Sequence, residues 1–217
     1  MTGVQTCALP ISYERLSLAK KRMLHHQIAQ GMEDQLGDSL YHAQLLNEIA
    51  YHYKMSKQPI KSLEYELHYL EATLQFHHEL FPIYSREFGF IEKTDDSNQS
   101  AVLDQFDRIR REIEGLERKH QNHKDFQLLV LRFLYLEGRY AIRTGNYQQG
   151  MDNIQQVIIS AKELQQMDFL LEGYRQMIYY CIQTENIPEM RYYTELALDA
   201  SKLQRSEERR VGKECRS

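Results

Sequence analysis

The chain has 217 residues, with 27 Lys and Arg against 31 Asp and Glu, which gives a formal net charge of −4. This acidic balance argues against a broad nucleic-acid-binding surface, so we expect no direct contact with nucleic acid. The sequence contains no run of about 18 apolar residues, so it predicts no segment that crosses a membrane.

The two ends, residues 1–12 and 205–217, match translated sequencing-library adapter. MTGVQTCALPIS and RSEERRVGKECRS correspond to two opposite adapters, each in the right orientation. Because such scars are excluded before fold reasoning, we expect residues 13–204 to be the native part and a fragment of a longer protein. Setting aside the five basic and three acidic residues of the C-terminal end leaves 22 basic and 28 acidic residues, a net charge of −6.

Only one cysteine, Cys181, lies in residues 13–204. One cysteine forms no internal disulfide and no CxxC metal site, which is consistent with a reducing cytosol and predicts a cytoplasmic protein. We expect Cys181 to be a small buried hydrophobe.

Apolar residues recur at three- and four-residue spacing and Gly and Pro are scarce, which predicts an all-α chain. The first helix should end before Gly37, and Pro59 fits the first turn of the third, where its missing N–H is harmless. We expect a break at Pro82 and a loop at residues 92–100. The apolar positions of the first three helices are Leu16, Leu24, Ile28 and Met32; Leu46, Ile49, Ala50 and Tyr53; and Leu63, Leu67, Leu70 and Leu74.

The second half begins with a highly charged helix that carries a narrow apolar stripe. Its interleaved acids and bases favour a solvated face with i,i+4 pairs over a nucleic-acid contact, and the stripe is also a short candidate seam for a homodimer. The segment Asp125–Arg143 is apolar on several sides and should be centrally buried. Further helices are predicted after the turn at Gly145, over Phe169–Gln183 and over Pro188–Leu203. The stripe consists of Phe106, Ile109, Ile113 and Leu116.

An internal repeat links the turns at Thr144 and Thr184, because TGNYQQG and TENIPEM align at a spacing of 40 residues. The flanking residues also align, Gly138 with Ile178 and Val157 with Ala197. The segment from Leu46 to Tyr65 fits the pattern as an earlier copy. This pattern resembles the tetratricopeptide (TPR) repeat, which has small residues where paired helices cross and a G-x-Y turn. The sequence departs from that pattern at Ile178 and Glu185, and its period exceeds the usual ~34 residues.

The resemblance implies antiparallel helical hairpins stacked as a TPR-like right-handed superhelix, an α-solenoid. In such arrays the first helix of each hairpin lines a concave surface that binds peptides or proteins. Four arginines on that face of an acidic chain suggest an acidic peptide or a C-terminal carboxylate as the ligand. The alternative is that these arginines pair with acids on neighbouring helices. The residues that the resemblance places on the concave surface are Gln44, Asn47 and Tyr51; Arg132, Tyr135, Arg139 and Arg143; and Glu172, Arg175, Tyr179 and Gln183.

No catalytic motif was found, so we expect neither an enzyme nor a cofactor. The adjacent pairs His25–His26 and His77–His78 point to different helix faces, which favours a solvated surface over a metal site. The chain resembles the peptide-binding domains of peptide-responsive transcription regulators of Gram-positive bacteria, which implies a ligand-sensing module that dimerises. The alternative is a passive helical scaffold or sensor segment whose catalytic partner domain lies outside the fragment.

Overall fold

The computed structural model describes residues 13–36, 43–74 and 99–214, with side chains as far as Arg205. Within these ranges the chain is all-α, with eight helices and no strand. Pro82 and most of the expected loop at 92–100 lie outside the described residues. The helices are α1 (Leu18–Leu36), α2 (Ala43–Met55), α3 (Pro59–Leu74), α4 (Gln99–His120), α5 (Lys124–Arg143), α6 (Tyr147–Glu163), α7 (Met167–Gln183) and α8 (Ile187–Glu214).

The chain divides into two compact units, Met1–Gln121 and Asn122–Ser217. In the first unit, α2 contacts both α1 and α3, and α3 contacts α4. Its core includes Leu46, Ile49, Ala50 and Tyr53, the four positions that the helical spacing predicts for α2. Polar contacts join the helices, since the Tyr65 hydroxyl donates a hydrogen bond to Glu33 at 2.6 Å.

The charged helix α4 is also tied into the first unit. Phe106, Ile109 and Ile113 of its apolar stripe are buried within a single chain, so they do not form an open seam for a second copy in this structure. Lys54 of α2 lies 3.0 Å from a carboxylate oxygen of Glu112 on α4. The remaining surface of α4 carries its charged residues, as expected for a solvated face.

In the second unit, each helix contacts the next one along the chain, and α5 also contacts α7. The prediction that Asp125–Arg143 is centrally buried is confirmed, because twelve residues of α5 are buried. Cys181 is 1% exposed, as expected for a small core residue. Short turns between helices in extensive contact make α5–α6 and α7–α8 two helical hairpins.

Four of the connecting turns have the same geometry. Lys57, Gly145, Gln165 and Glu185 have φ values of 63°, 86°, 55° and 55°, in the left-handed region. At each turn the next residue's N–H bonds to a carbonyl five residues back, as Asn146 does to Ala141. This is the Schellman arrangement that ends helices, and it usually has glycine at the left-handed position. The last three turns are twenty residues apart, so helix plus turn is the repeating unit.

Glycine permits the close contacts between these helices. A Cβ at Gly138 would lie 3.0 Å from the Asn153 and Ile154 side chains, so a larger residue would crowd α6 there, in line with the small residue expected in mid-helix α5. A Cβ at Gly173 would lie 2.6 Å from Ile158 Cγ1, so α7 rests directly on α6 at that point.

Candidate functional site

A cluster of four polar side chains connects α5 to α7. The Tyr135 hydroxyl donates a hydrogen bond to Glu172 Oε2 at 3.0 Å, and Arg139 Nη1 donates to the Tyr135 oxygen at 3.1 Å. Arg175 Nη2 in turn donates to the same Glu172 oxygen at 2.7 Å. Since Tyr135 and Arg139 belong to α5 and the other two to α7, the cluster joins the sides of the two helices that carry these polar residues.

Helical spacing explains why these residues meet. Positions three or four residues apart lie on one side of a helix, and both helices carry their polar residues at that spacing. We call the combined surface the arginine face. It consists of Arg132, Tyr135, Arg139 and Arg143 on α5 and of Glu172, Arg175, Tyr179 and Gln183 on α7.

The residues of the arginine face differ in depth. Arg139 and Tyr135 are only 4% and 5% exposed, whereas the sequence-based prediction treated both as residues that line an open groove. Their burial follows from the contact between α5 and α7 and from hydrogen bonds that satisfy them inside the protein. Arg175 retains an exposed side-chain fraction of 29%. Arg132 and Tyr179 are half-buried, and Arg143 and Gln183 are exposed.

Burial dominates the electrostatics of the cluster. It raises the pKa of the Glu172 carboxyl, although Arg175, the Tyr135 hydroxyl and Arg139 oppose the shift. Burial also raises the pKa of the Tyr135 hydroxyl well above its usual value, so this group remains a donor at neutral pH. The Nε of Arg175 is buried and has no hydrogen-bond partner within the described residues. A buried donor without an acceptor is unfavourable by about 1–3 kcal/mol, so an added acceptor there would be stabilising.

The predicted residues of the first copy, Gln44, Asn47 and Tyr51, lie in the other unit. All three are exposed on one side of α2. Gln44 Nε2 donates to a Glu48 oxygen at 3.2 Å, and the Tyr51 ring packs edge-on against the His25 ring at a centroid distance of 5.9 Å. They therefore form a polar and aromatic surface of the first unit.

The sequence-based expectation that the histidines are solvated is wrong for His25, which is 6% exposed. Its Nδ1 lies 2.8 Å from Nδ1 of His52, and its Nε2 lies 2.8 Å from the Tyr13 hydroxyl. Burial lowers the pKa of both imidazoles; for His52, His25 lowers it further while Glu48 raises it. A signal was available, because His25 precedes the buried Ala29 by four residues and so shares its helix face.

Within the described ranges, no three His, Cys, Asp or Glu side chains come together as a metal-binding group. In the same part of the chain, no helix is both long and apolar enough to cross a membrane. The chain matches no protein-family model, and comparisons with curated proteins and with solved structures found no significant similarity.

Proposed function

We propose that the second unit is a binding module for acidic peptides or acidic protein segments, and that the ligand lies on the arginine face. The observation that carries the proposal is the hydrogen bond from Tyr135 to Glu172. It connects α5, which presents Arg132 and Arg143, to α7, which presents Arg175 on the same side, so a ligand that bridges the two helices would contact cations of both.

The charge of the face favours an anionic ligand. Four arginines lie there against one acid, Glu172, in a chain whose formal net charge is −4. The planar guanidinium group presents paired donors that match the two oxygens of a carboxylate. Arg175 keeps 29% of its side chain exposed, so part of its guanidinium group reaches the surface beside Glu172.

The exposure of each residue suggests a division of roles. Arg132, Arg143, Arg175 and Tyr179 reach the surface and are the proposed ligand contacts. Tyr135 and Arg139 are buried and act as positioning residues that hold α5 and α7 together. Exposed Gln44, Asn47 and Tyr51 are proposed as partner contacts of the first unit.

The contacts of the second unit support a TPR-like arrangement as part of this proposal. Two helical hairpins follow each other, and their first helices, α5 and α7, touch. We extend the proposal to a ligand-sensing role in a cytoplasmic bacterial regulator on the basis of the sequence resemblance alone.

One observation favours a passive scaffold as a second candidate. Tyr135, Arg139 and Glu172 bond to one another and are buried, as in a cluster that only stabilises helix packing. A scaffold and a binding face differ in whether the exposed arginines contribute to affinity.

The test begins with selection of ligands from a random peptide library against the full chain. We expect enrichment of Asp and Glu among selected peptides. The best peptide is then titrated against Arg175→Gln and against Arg191→Gln, a matched loss of charge at an exposed arginine of α8. Losing a charge-assisted hydrogen bond is unfavourable by about 1.5–3 kcal/mol, so Arg175→Gln should weaken binding roughly tenfold or more, and Arg191→Gln should not.

Arg139 is not used in this test because replacing a buried cation would destabilise the fold itself. Circular dichroism of both variants confirms that they fold. A library that yields no acidic consensus, or equal affinities for Arg175→Gln and Arg191→Gln, would support the scaffold and overturn the proposal.

A further inference from the structure

Helix α8 carries large apolar side chains that are exposed in the described part of the chain. Ile187, Tyr192, Leu198 and Leu203 have exposed fractions of 61%, 57%, 54% and 59%. Exposed apolar residues scattered over a surface are common and need no explanation. The internal repeat separates two of them, because it assigns Leu198 to an interface and leaves Tyr192 outside it.

The forty-residue repeat fixes which residues of α6 and α8 are equivalent. The N–H of Asn146 bonds to Ala141 and that of Asn186 to Cys181, and Thr144 and Thr184 each cap the preceding helix through a carbonyl four residues back. The first turns of the two following helices also match, as both begin with a hydrogen bond to the carbonyl of the asparagine. Each residue of α6 therefore has its equivalent forty positions later in α8.

In α6, Ile158 and Val157 belong to the surface that contacts the next hairpin. Ile158 and Val157 lie against Gly173 of α7, with distances of 2.6 Å and 3.8 Å from the Cβ that a side chain would place there. Ile158 is consequently only 8% exposed, and Val157 is fully buried.

The equivalent residue of Ile158 in α8 is Leu198, which is 54% exposed. Ala197, the equivalent of Val157, is half-buried. Tyr192 is different, because its equivalent in α6 is Asp152, which remains exposed beside α7. Leu198 thus belongs to the repeated interface and Tyr192 does not.

We infer that the face of α8 around Leu198 is a docking site for an amphipathic helix of the same kind as α7. That partner helix carries a glycine where it rests on Leu198, as Gly173 does on Ile158, and apolar residues on either side of it. This face continues the interface between α6 and α7, and its role in docking does not depend on the proposed function. Covering Leu198 removes a leucine side chain from water, which favours docking.

The experiment supplies such a helix in the correct register. Gln204 is the equivalent of Leu164, so residues 205–217 are replaced by a second copy of the segment from Gln165 to Gln204. Leu198→Asp is then compared in the original chain and in the extended chain. Tyr192→Asp is the matched control, because it places the same charge on the same helix outside the proposed face.

In the extended chain we expect the appended segment to be helical by circular dichroism and to raise the melting temperature. Leu198→Asp should lower the melting temperature of the extended chain by at least about 3 °C and change that of the original chain by less than about 1 °C. Tyr192→Asp should change neither by more than about 1 °C. Changing the copied glycine of the appended hairpin to leucine should abolish the gain.

Several outcomes would overturn the inference. An appended segment that stays unstructured shows that the face does not accept this helix. Equal effects of Leu198→Asp in the two chains show that Leu198 is not covered. Dimerisation of the original chain that Leu198→Asp abolishes identifies a second copy as the occupant instead.

Discussion

Replacing Gly150 by alanine should destabilise the second unit even though alanine favours helix formation. A Cβ at Gly150 would lie 2.6 Å from Ile142 Cγ1, 2.9 Å from the Ile142 nitrogen and 3.0 Å from the Gly138 oxygen. Two of these are backbone atoms of α5, so they yield only if the two helices separate. Overpacking of this kind is unfavourable by about 2–3 kcal/mol, while the gain in helix propensity is at most about 1 kcal/mol. The expected net loss is about 1–2 kcal/mol.

Gly115 is the matched control for Gly150, because it also lies inside a helix but a Cβ there meets nothing within 4 Å. Gly115→Ala should therefore stabilise the first unit by about 0.5–1 kcal/mol. Hydrogen exchange of the most protected amides of each unit reports the two free energies separately, so the division of the chain into units does not confuse the result. If Gly150→Ala stabilises its unit as Gly115→Ala does, the close approach of α5 and α6 is refuted.

Three further predictions concern the turns, the histidine pair and the buried thiol. Glu185→Gly should stabilise the second unit by about 0.5–1 kcal/mol and Gly145→Ala should destabilise it by about 1 kcal/mol, measured by chemical denaturation, since both positions have positive φ. Opposite signs would contradict the turn geometry. Burial lowers the pKa of His25 in the folded state, so the free energy of unfolding should be highest above the unfolded pKa of about 6.5 and should fall as the pH drops below it. His25→Gln should flatten this pH dependence, and His120→Gln should not. If the free energy of unfolding of His25→Gln changes with pH as steeply as that of the original chain, the buried histidine pair is contradicted. Cys181 should react with a thiol reagent only at the rate of local unfolding, because it is buried and burial also raises its pKa; rapid labelling of Cys181 itself in a Cys7→Ser, Cys215→Ser chain would contradict its placement.

Periodicity predicted the helices because it depends only on local spacing, but it gave the wrong buried face for α1, where His25 and Ala29 are buried and Leu24 is 36% exposed. The stripes of α2 and α3 contain Leu46, Ile49, Leu63 and Leu67, and all four are fully buried. Pro59 opens α3 as its fixed φ predicts. The forty-residue spacing appears in the structure as two turns in which Thr144 and Thr184 each donate a side-chain hydrogen bond to the carbonyl four residues back.

The sequence could not predict how deeply individual polar residues are buried. Helical spacing places Arg139 one turn from Tyr135 on α5, yet its burial depends on the contact between α5 and α7, which local spacing does not determine. His25 shares a helix face with the buried Ala29, but its partner His52 is 27 residues away, so the sequence did not show what would satisfy a buried imidazole. Glu185 departs from the expected glycine, but the same turn forms because tertiary contacts outweigh a local preference of about 1 kcal/mol.

The most direct test of the arginine face is nuclear magnetic resonance of the arginine side chains during titration with the selected acidic peptide. The Nε–H signal of Arg175, assigned by its loss in Arg175→Gln, should shift strongly because the peptide binds the exposed part of the same guanidinium group, while that of Arg191 stays in place. Saturable binding that leaves the Arg175 signal unmoved and shifts signals of α8 or the first unit would contradict the account, because the ligand would then lie elsewhere.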